Sequence, residues 1–413
     1  MDPLRILFVW EWLVVGGAEQ YLVRKARHLR ARGHDVWVAS AGGPLLGELA
    51  ATGAQHVTLP TLSQAVGAPT LRDAAADWAR LYELIDEAAI DVVDTIAVKP
   101  FLYASAICRR RGVPHVLEAL SPCHLVPRDA REDVAALFAE GGVVAMEADM
   151  GHAYRAHGID TSGVVVIPNM VDTGAFRPPS REERARARAA LGVGEGERLV
   201  VTVSRLDADK SPYIERLLDE FRPVAAAVPS ARLVIAGDGT EAEVIRARAR
   251  AYLGDRASRI PGTKDLTQVA AWYQAADVFV GMGTTVLEAA ACGVPAVVAN
   301  GDFMVAGRAP ARDTGAAGTF GCEGYTGIGS SLGPSPSSFE SRLVALLADD
   351  GARRETGEAG LRAVRAAFTP EVVMARWEGY YSERRARARR SASYRSRTVL
   401  AAAEPSGVTS RST

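Results

Sequence analysis

Two hydrophobic periods alternate along most of the chain. Short runs of consecutive apolar residues, the pattern of strands buried on both faces, are separated by stretches with apolar positions at helical spacing. The run RILFVW at 5–10 predicts a buried strand, and a helix follows over 18–32 with Ala18, Tyr21, Leu22, Ala26 and Leu29 on one face. Gly33 stops it, and DVWVAS at 35–40 predicts the next strand. Further strands are predicted at 55–59, 91–96, 115–119, 142–146 and 164–167, with helices at 74–89 and 101–111 and a loop over 120–129. Strands that alternate with helices make a parallel sheet.

The pattern pauses between 168 and 194, where Pro178-Pro179 and an Arg/Glu-rich helix over 181–191 carry little apolar content. It then resumes with strands at 198–204, 232–236 and 258–260 and helices at 213–227, 241–253 and 266–275. The stretch DVFVGMGTTVLEAAACGVPAVVAN, 277–300, reads as strand (278–280), glycine turn, short helix (286–292), Gly-Val-Pro stop and strand (296–299). A Gly/Ser/Pro-rich segment, 301–336, reads as a loop or an irregular insertion with one short strand, and helices follow at 337–347, 352–367 and 370–384. From Arg385 on, the chain is rich in Arg, Ser and Ala and aperiodic, which predicts disorder. The division expected is an N-terminal domain 1–175, a linker 176–197, a C-terminal domain 198–368, a helix 369–385 and a basic tail 386–413.

Length supports this division, because 413 residues exceed a single ordinary core. A net charge of −1 gives no global pull toward nucleic acid. No run of about 18 apolar residues predicts a transmembrane helix, and the first residues lack a secretory layout. The basic tail could touch an anionic membrane surface, or could simply be solvated. Cys108, Cys123, Cys292 and Cys322 have no paired short spacing, so neither a zinc site nor a disulfide framework is indicated and a cytoplasmic compartment fits. Only Lys25, Lys99, Lys210 and Lys264 are lysine among 48 basic residues, which singles out each one.

Ligands of such sheets sit beyond the carboxyl ends of the strands, and the chain places its distinctive residues there. Gly281 and Gly283 let backbone approach a ligand, and the start of the helix that follows Gly283, Thr284 and Thr285 offers N–H groups to an anion. Glu288 is the one charge on that helix and could hold a ribose or face water. Arg205 and Lys210, in SRLDADKSP, could clamp a diphosphate as fork and point charge, or be surface charge balanced by Asp207 and Asp209. Such a clamp would stabilise a departing nucleotide without a metal. Gly16-Gly17, after the first strand, is either a phosphate-approaching turn or a plain tight one, and it falls short of a dinucleotide fingerprint. Lys99, His115, Glu118 and His124 are read as lying near the carboxyl ends of first-domain strands, where substrate contacts would face the cleft. No HExxH pattern is present.

Taken in order, these pieces resemble glycosyltransferase family 4. Gly16-Gly17-Ala18-Glu19 matches its GGAE, HLRARGHDVWVAS its strand entry, IPNMVDTGAFRP (167–178) its domain junction, SRLDADKSP its clamp, and Gly237-Asp238-Gly239, Ala276-Asp277 and LEAAACGVPAVV (287–298) its second half. The resemblance implies an α/β GT-B fold, two Rossmann-like domains with parallel sheets facing a cleft and a C-terminal helix crossing back to the first domain. It implies retaining transfer of a sugar from a nucleotide-diphosphate donor to a glycan, lipid or small-molecule acceptor, with no metal or other cofactor. Gly16 and Gly17 would approach the phosphates, Arg205 and Lys210 bind the diphosphate, Glu288 the ribose, and Gly262 and Thr263 face the base. His124 stands displaced from the family's first-domain histidine, whose expected position is near Leu120. Val280 occupies the position of the family's first glutamate, eight residues before Glu288. These departures keep two alternatives in view, a homologue that binds sugar nucleotides without transfer and a nucleotide-sugar epimerase of the same fold.

Overall fold

A computed structural model describes residues 2–14, 16–62, 71–96, 98–119, 131–146, 154–155, 158–207, 211–262, 265–299, 329–331 and 339–403; of 71–73, 98–99, 212, 266, 329–331 and 391–403 it describes the backbone alone. The described residues form two compact units. The first takes those up to Glu118, 131–144 and from Met374 onward; the second takes Ala119 and those from Ala145 to Val373.

The first half of the chain supplies strands β1 (Arg5–Val9), β2 (Asp35–Ser40), β3 (Gln55–Thr58), β4 (Val92–Ile96), β5 (His115–Ala119), β6 (Val143–Ala145) and β7 (Val165–Val166). Between them run helices α1 (Gly17–Ala31), α2 (Leu46–Ala50), α3 (Leu71–Glu87), α4 (Val98–Arg111) and α5 (Arg131–Ala139). The sheet order is β3-β2-β1-β4-β5-β6-β7, and β1 pairs in parallel with both β2 and β4. After α6 (Arg181–Ala190) come β8 (Arg198–Val203), α7 (Ser211–Ala227), β9 (Ala231–Ala236), α8 (Ala242–Leu253), β10 (Ala257–Ile260), α9 (Leu266–Ala275), β11 (Val278–Gly281), α10 (Thr284–Ala291), β12 (Ala296–Val298) and β13 (Gly329–Ser331). Helices α11 (Phe339–Ala348), α12 (Asp350–Ala367) and α13 (Pro370–Ala403) close the chain. The second sheet, all parallel, has the order β10-β9-β8-β11-β12-β13.

Continuous apolar strands suit sheets covered on both faces. In β8, Leu199 and Val201 join one buried cluster with Phe279 and Leu287, while Val200 joins the opposite one with Val278, Val280 and Val297.

Three expectations need correction. Residues 176–197 are not a linker: Phe176, Ala187 and Val193 enter the second unit's core. Helix α6 buries little apolar surface beyond Ala187 and docks mainly through arginines. Arg184 donates to the carbonyls of Gln274 and Ala276 and Arg188 to that of Ala275, and both reach Asp277 at 2.9–3.0 Å. Cations at the carbonyl end of α9 are favoured, and hydrophobic periodicity does not reveal them. The boundary at 175 also moves, since the second unit already includes Ala145. Finally, the tail expected to be disordered from 386 continues α13 as far as Ala403, because Arg and Ala favour helix and no Pro or Gly interrupts them. Helices α2 and α5 were not expected.

The first unit's core contains charge. Lys25, fully buried on α1, places Nζ 2.5 Å from Glu118 Oε1, 3.1 Å from Asp94 Oδ2 and 3.1 Å from the ring centroid of Trp377. Trp377 Nε1 donates to Tyr21 Oη at 3.1 Å, and Tyr381 Oη donates to Asp94. Glu118, expected as a substrate contact, is 1% exposed and belongs to this cluster instead. Burial, then the Asp94 charge, pushes its carboxyl from 4.5 up to about 8, outweighing the pull of Lys25. Near neutral pH Glu118 therefore holds a proton, and one ammonium faces one carboxylate.

Because its folded value lies above its unfolded one, the stability Glu118 contributes is complete below about pH 4.5 and is lost as pH rises through about 8. Urea unfolding should show stability declining between about pH 5 and pH 8 and levelling off above that, with Glu118→Gln flattening the decline. An undiminished slope in this variant would refute the assignment. Lys25→Met, which leaves Asp94 buried without its cation, should cost about 3–5 kcal/mol at pH 7.

Candidate functional site

Both sheets reverse their winding direction at a central pair of strands, and the crevice beyond the carboxyl ends of such a pair is where doubly wound sheets hold ligands. In the second unit that pair is β8 and β11. Beyond β8 lies Arg205 and beyond β11 lie Gly283, Thr284 and Thr285, so residues some eighty positions apart in sequence meet at one rim.

Backbone pressed against backbone shapes this rim. A Cβ on Gly237 would stand 1.8 Å from the carbonyl oxygen of Ser204, and one on Gly239 2.3 Å from that of Leu206. The 237–241 turn is laced to the 204–206 loop by Leu206 N–H donating to Asp238 O at 2.9 Å and Glu241 N–H to Leu206 O at 2.8 Å. Asp238 Oδ2 accepts from Gly262 N–H at 2.7 Å, which brings the third loop to the same edge. Asp207 accepts from the Thr240 N–H at 2.8 Å and pairs with Arg205 at 3.0 Å. The Thr240 hydrogen bond, ahead of the Arg205 charge, holds Asp207 below the ordinary carboxylate range. Arg205, with 57% of its side chain exposed, is thus braced by a firmly ionised partner.

On the β11 side, Gly283 caps α10 at φ 63°, ψ −138°, a backbone state that glycine alone adopts cheaply. The first N–H groups of α10 thereby begin at the strand's end and favour an anion. Thr285 Oγ1 donates to Met282 O at 2.7 Å, tightening the turn. One helical turn on, half-buried Glu288 accepts from Tyr273 Oη at 2.8 Å. Burial first, then the Glu288 charge, keeps the Tyr273 proton on well above its usual range, so the phenol remains a donor that orients the carboxylate. Cys292 below it is pushed up to about 12 by burial and Glu288 and stays a thiol. The rim therefore presents a guanidinium, helix N–H groups and an oriented carboxylate, a set suited to a phosphorylated ligand bearing hydroxyls.

Of the expected residues in this unit, Arg205, Gly262, Gly283, Thr284, Thr285 and Glu288 lie on this rim or on the helix it opens; Lys210 and Thr263 fall outside the described residues. Tyr273, Asp207 and Asp238 were missed as positioning residues. Asp207 had appeared only as balancing charge, and nothing in the sequence around Tyr273 pairs it with Glu288. In the first unit, Gly16 and Gly17 open α1 beyond the carboxyl end of β1. Lys99 is in the first turn of α4, and its side chain is outside the description, as is His124 altogether. His115 is buried at the start of β5, stacked on Phe101 with ring centroids 4.9 Å apart, and does not face the strand ends. Val280 is fully buried in β11. Among the described residues no group of three or more His, Cys, Asp and Glu side chains could hold a metal ion, and no helix is long and apolar enough to cross a membrane.

Two family models match the chain, one described as Glycosyltransferase Family 4 over residues 15–175 and one as Glycosyl transferases group 1 over 183–317. A D-inositol 3-phosphate glycosyltransferase of Segniliparus rotundus is 33% identical over 214 residues, 46% of this chain and 46% of that protein. The Mycobacterium bovis protein of the same name is 25% identical over 327 residues, 69% of this chain and 64% of that one. The chain thus spans between about half and two-thirds of the length of these curated relatives. Among solved structures, a glycosyltransferase from Rickettsia africae aligns with a TM-score of 0.72 at 17% identity, over 93% of this chain and 99% of that one. The Anabaena protein HepE in complex with UDP aligns with a TM-score of 0.71 at 19% identity, over 92% and 100%. These two likenesses establish the shared fold.

The rim's dependence on bare backbone is open to test. Gly237→Ala should destabilise the protein by about 3 kcal/mol or more, since the added carbon overlaps the Ser204 carbonyl. Gly17→Ala, where a Cβ meets nothing within 4 Å, should leave chemical denaturation unchanged or raise stability by up to about 1 kcal/mol. Equal midpoints for both variants would contradict this account of the rim.

Proposed function

The chain belongs to glycosyltransferase family 4 and has its α/β GT-B fold, and from that premise we propose that it transfers a sugar from a nucleotide-diphosphate donor to an acceptor hydroxyl. The observation that carries the reading is the convergence of Arg205, the start of α10 and the Tyr273–Glu288 pair on one rim. Arg205 and the helix N–H groups suit a diphosphate, and Glu288 suits the two hydroxyls of a ribose. A UDP-sugar is the first donor to try, because HepE has been crystallised with UDP and with UDP-glucose. The relatives' name makes a phosphorylated cyclic polyol the first acceptor to try. Retention of anomeric configuration and independence of metal are part of the proposal. Charge on the leaving diphosphate would be met by Arg205, with Lys210 as its sequence-predicted companion, rather than by a cation.

One observation favours a second reading. Val280 stands where family members carry a sugar-contacting glutamate, and it is sealed in the core rather than presented at the rim. A protein with this rim and no such carboxylate could bind a sugar nucleotide without transferring the sugar. Release of free nucleotide that depends on acceptor separates transfer from binding alone, and a donor-only product with nucleotide still attached would indicate epimerisation.

Calorimetry with UDP, GDP, dTDP and ADP should give one preferred nucleotide. At a hundred times its dissociation constant that nucleotide should stabilise the fold by about 2.7 kcal/mol. Arg205→Ala should weaken it by about 10- to 100-fold with the fold intact. Glu288→Ala should weaken the nucleoside as well, because its partner is the ribose. Undiminished nucleotide affinity in Arg205→Ala would remove the diphosphate clamp from the proposal.

A further inference from the structure

At the opposite end of the first sheet from Gly16 and Gly17, a cavity of about 570 Å³ opens between the carboxyl end of α4, helix α5 and residues 384–388 of α13. Its lining includes Arg109, Arg110, Arg111, Arg384 and Arg387, against the carboxylates of Asp133 and Glu140. Two of the five cations are satisfied: Arg109 forks onto Asp133 at 2.6 and 3.3 Å, and Arg111 pairs with Asp86 and lies over the Tyr82 ring. Among the described residues Arg110 and Arg387 make no ion pair, and Arg384 reaches only the Glu140 carboxylate, at 4.0 Å.

Arg384 is the informative one. Its side chain is 10% exposed, yet its Nη1 and Nη2 donate to neutral carbonyls, those of Glu140 at 2.7 Å and His115 at 3.2 Å. The nearest carboxylate oxygen, Glu140 Oε2, is 4.0 Å away on a side chain that is 65% exposed. The Arg384 Nε–H is buried with no acceptor among the described residues. Arg387 likewise spends its Nη1 on the Glu140 carbonyl, at 3.2 Å. Hydrogen bonds to carbonyls hold a guanidinium in place without cancelling its charge, and an uncompensated cation next to low-dielectric walls is costly. His115, also in the lining, adds no charge: burial, then Arg384 and Arg109, holds its imidazole down at about 3.

We propose that this cavity binds a phosphate monoester dianion. Guanidinium forks match phosphate oxygens, two negative charges would offset the unbalanced arginines, and the volume is in the range of small-ligand pockets. The ester could belong to a free metabolite or to a lipid headgroup; the chemistry at the arginines is the same.

The test uses the full chain carrying Arg205→Ala, so that binding at the proposed diphosphate site is suppressed. Inorganic phosphate and glycerol 3-phosphate are titrated calorimetrically at constant ionic strength. Phosphatidylcholine vesicles with and without phosphatidic acid are tested by co-sedimentation. Saturable binding of the soluble probes identifies a metabolite, and binding confined to phosphatidic acid vesicles identifies a headgroup. In either case Arg110→Gln/Arg387→Gln, two arginines without a carboxylate partner among the described residues, should weaken binding by at least about tenfold. In the chain with Arg205 intact, the same pair should leave nucleotide affinity unchanged. Absence of binding by all probes, or equal binding by the pair variant, overturns the proposal. Neither result bears on the nucleotide site.

Discussion

The first unit depends on where one buried lysine can find its acceptors. Lys25 is on α1, Asp94 on β4 and Glu118 on β5, and the aromatic ring against Nζ comes from α13, more than 250 residues further on. A fully buried cation tolerates few arrangements, so these four elements must adopt one register together. Tyr381, donating to Asp94, and Trp377, donating to Tyr21, lie one turn apart and bind α13 along the same face. Next to them Glu378 accepts from Arg32 at 2.9 Å and from His34 at 3.0 Å. His34 Nδ1 accepts from Leu4 N–H at 3.0 Å, so its Nε2 carries the proton it gives to Glu378. The docking of α13 is thus polar and specific where an ordinary helix seam would be apolar.

This explains which parts of the chain could be read from sequence. Strands β1, β4, β8 and β11 announce themselves as apolar runs because both faces of their sheets are covered, and helices such as α1 show a 3.6-residue period because one face alone is buried. Where docking is carried by arginine on carbonyls, as with α6 on α9, or by charge and aromatic groups, as with α13, hydrophobic pattern is silent. So the arginine-rich segment 181–190 read as a link and the residues after Arg385 as a tail. Lys25 drew notice only for its rarity, and its burial had no signature, because a lysine at a helix's core position looks like any other lysine.

The candidate site divides in the same way. The glycines after the strands have physical reasons to be glycine: what confines Gly237 and Gly239 is contact with another loop's backbone, and Gly283 is set by its positive φ. Glu288 stood out as the one charge on an apolar helix. The partners that orient these groups were invisible, because Tyr273 and Glu288 are fifteen residues apart and meet only when α9 and α10 pack. Glu118 misled for the opposite reason. A strand-end position suggested exposure, while three side chains from elsewhere in the unit had already enclosed it.

Val280 shows how binding and transfer can separate within one rim. The backbone features that suit an anion are also folding features: filling Gly237 would drive a Cβ into the Ser204 carbonyl, and the cap at Gly283 starts a helix whose Leu287 and Ala290 are core. Val280 carries no such double duty. It packs with Val200, Val278 and Val297 as the penultimate residue of β11, and a carboxylate there, at 0% exposure, would need a cation or a proton to remain buried. Valine therefore extends the strand by burying surface that a sugar-contacting acid would have to expose. The N–H groups at the start of α10 and the side chain at 280 are different parts of one segment, so the proposed nucleotide binding does not draw on Val280.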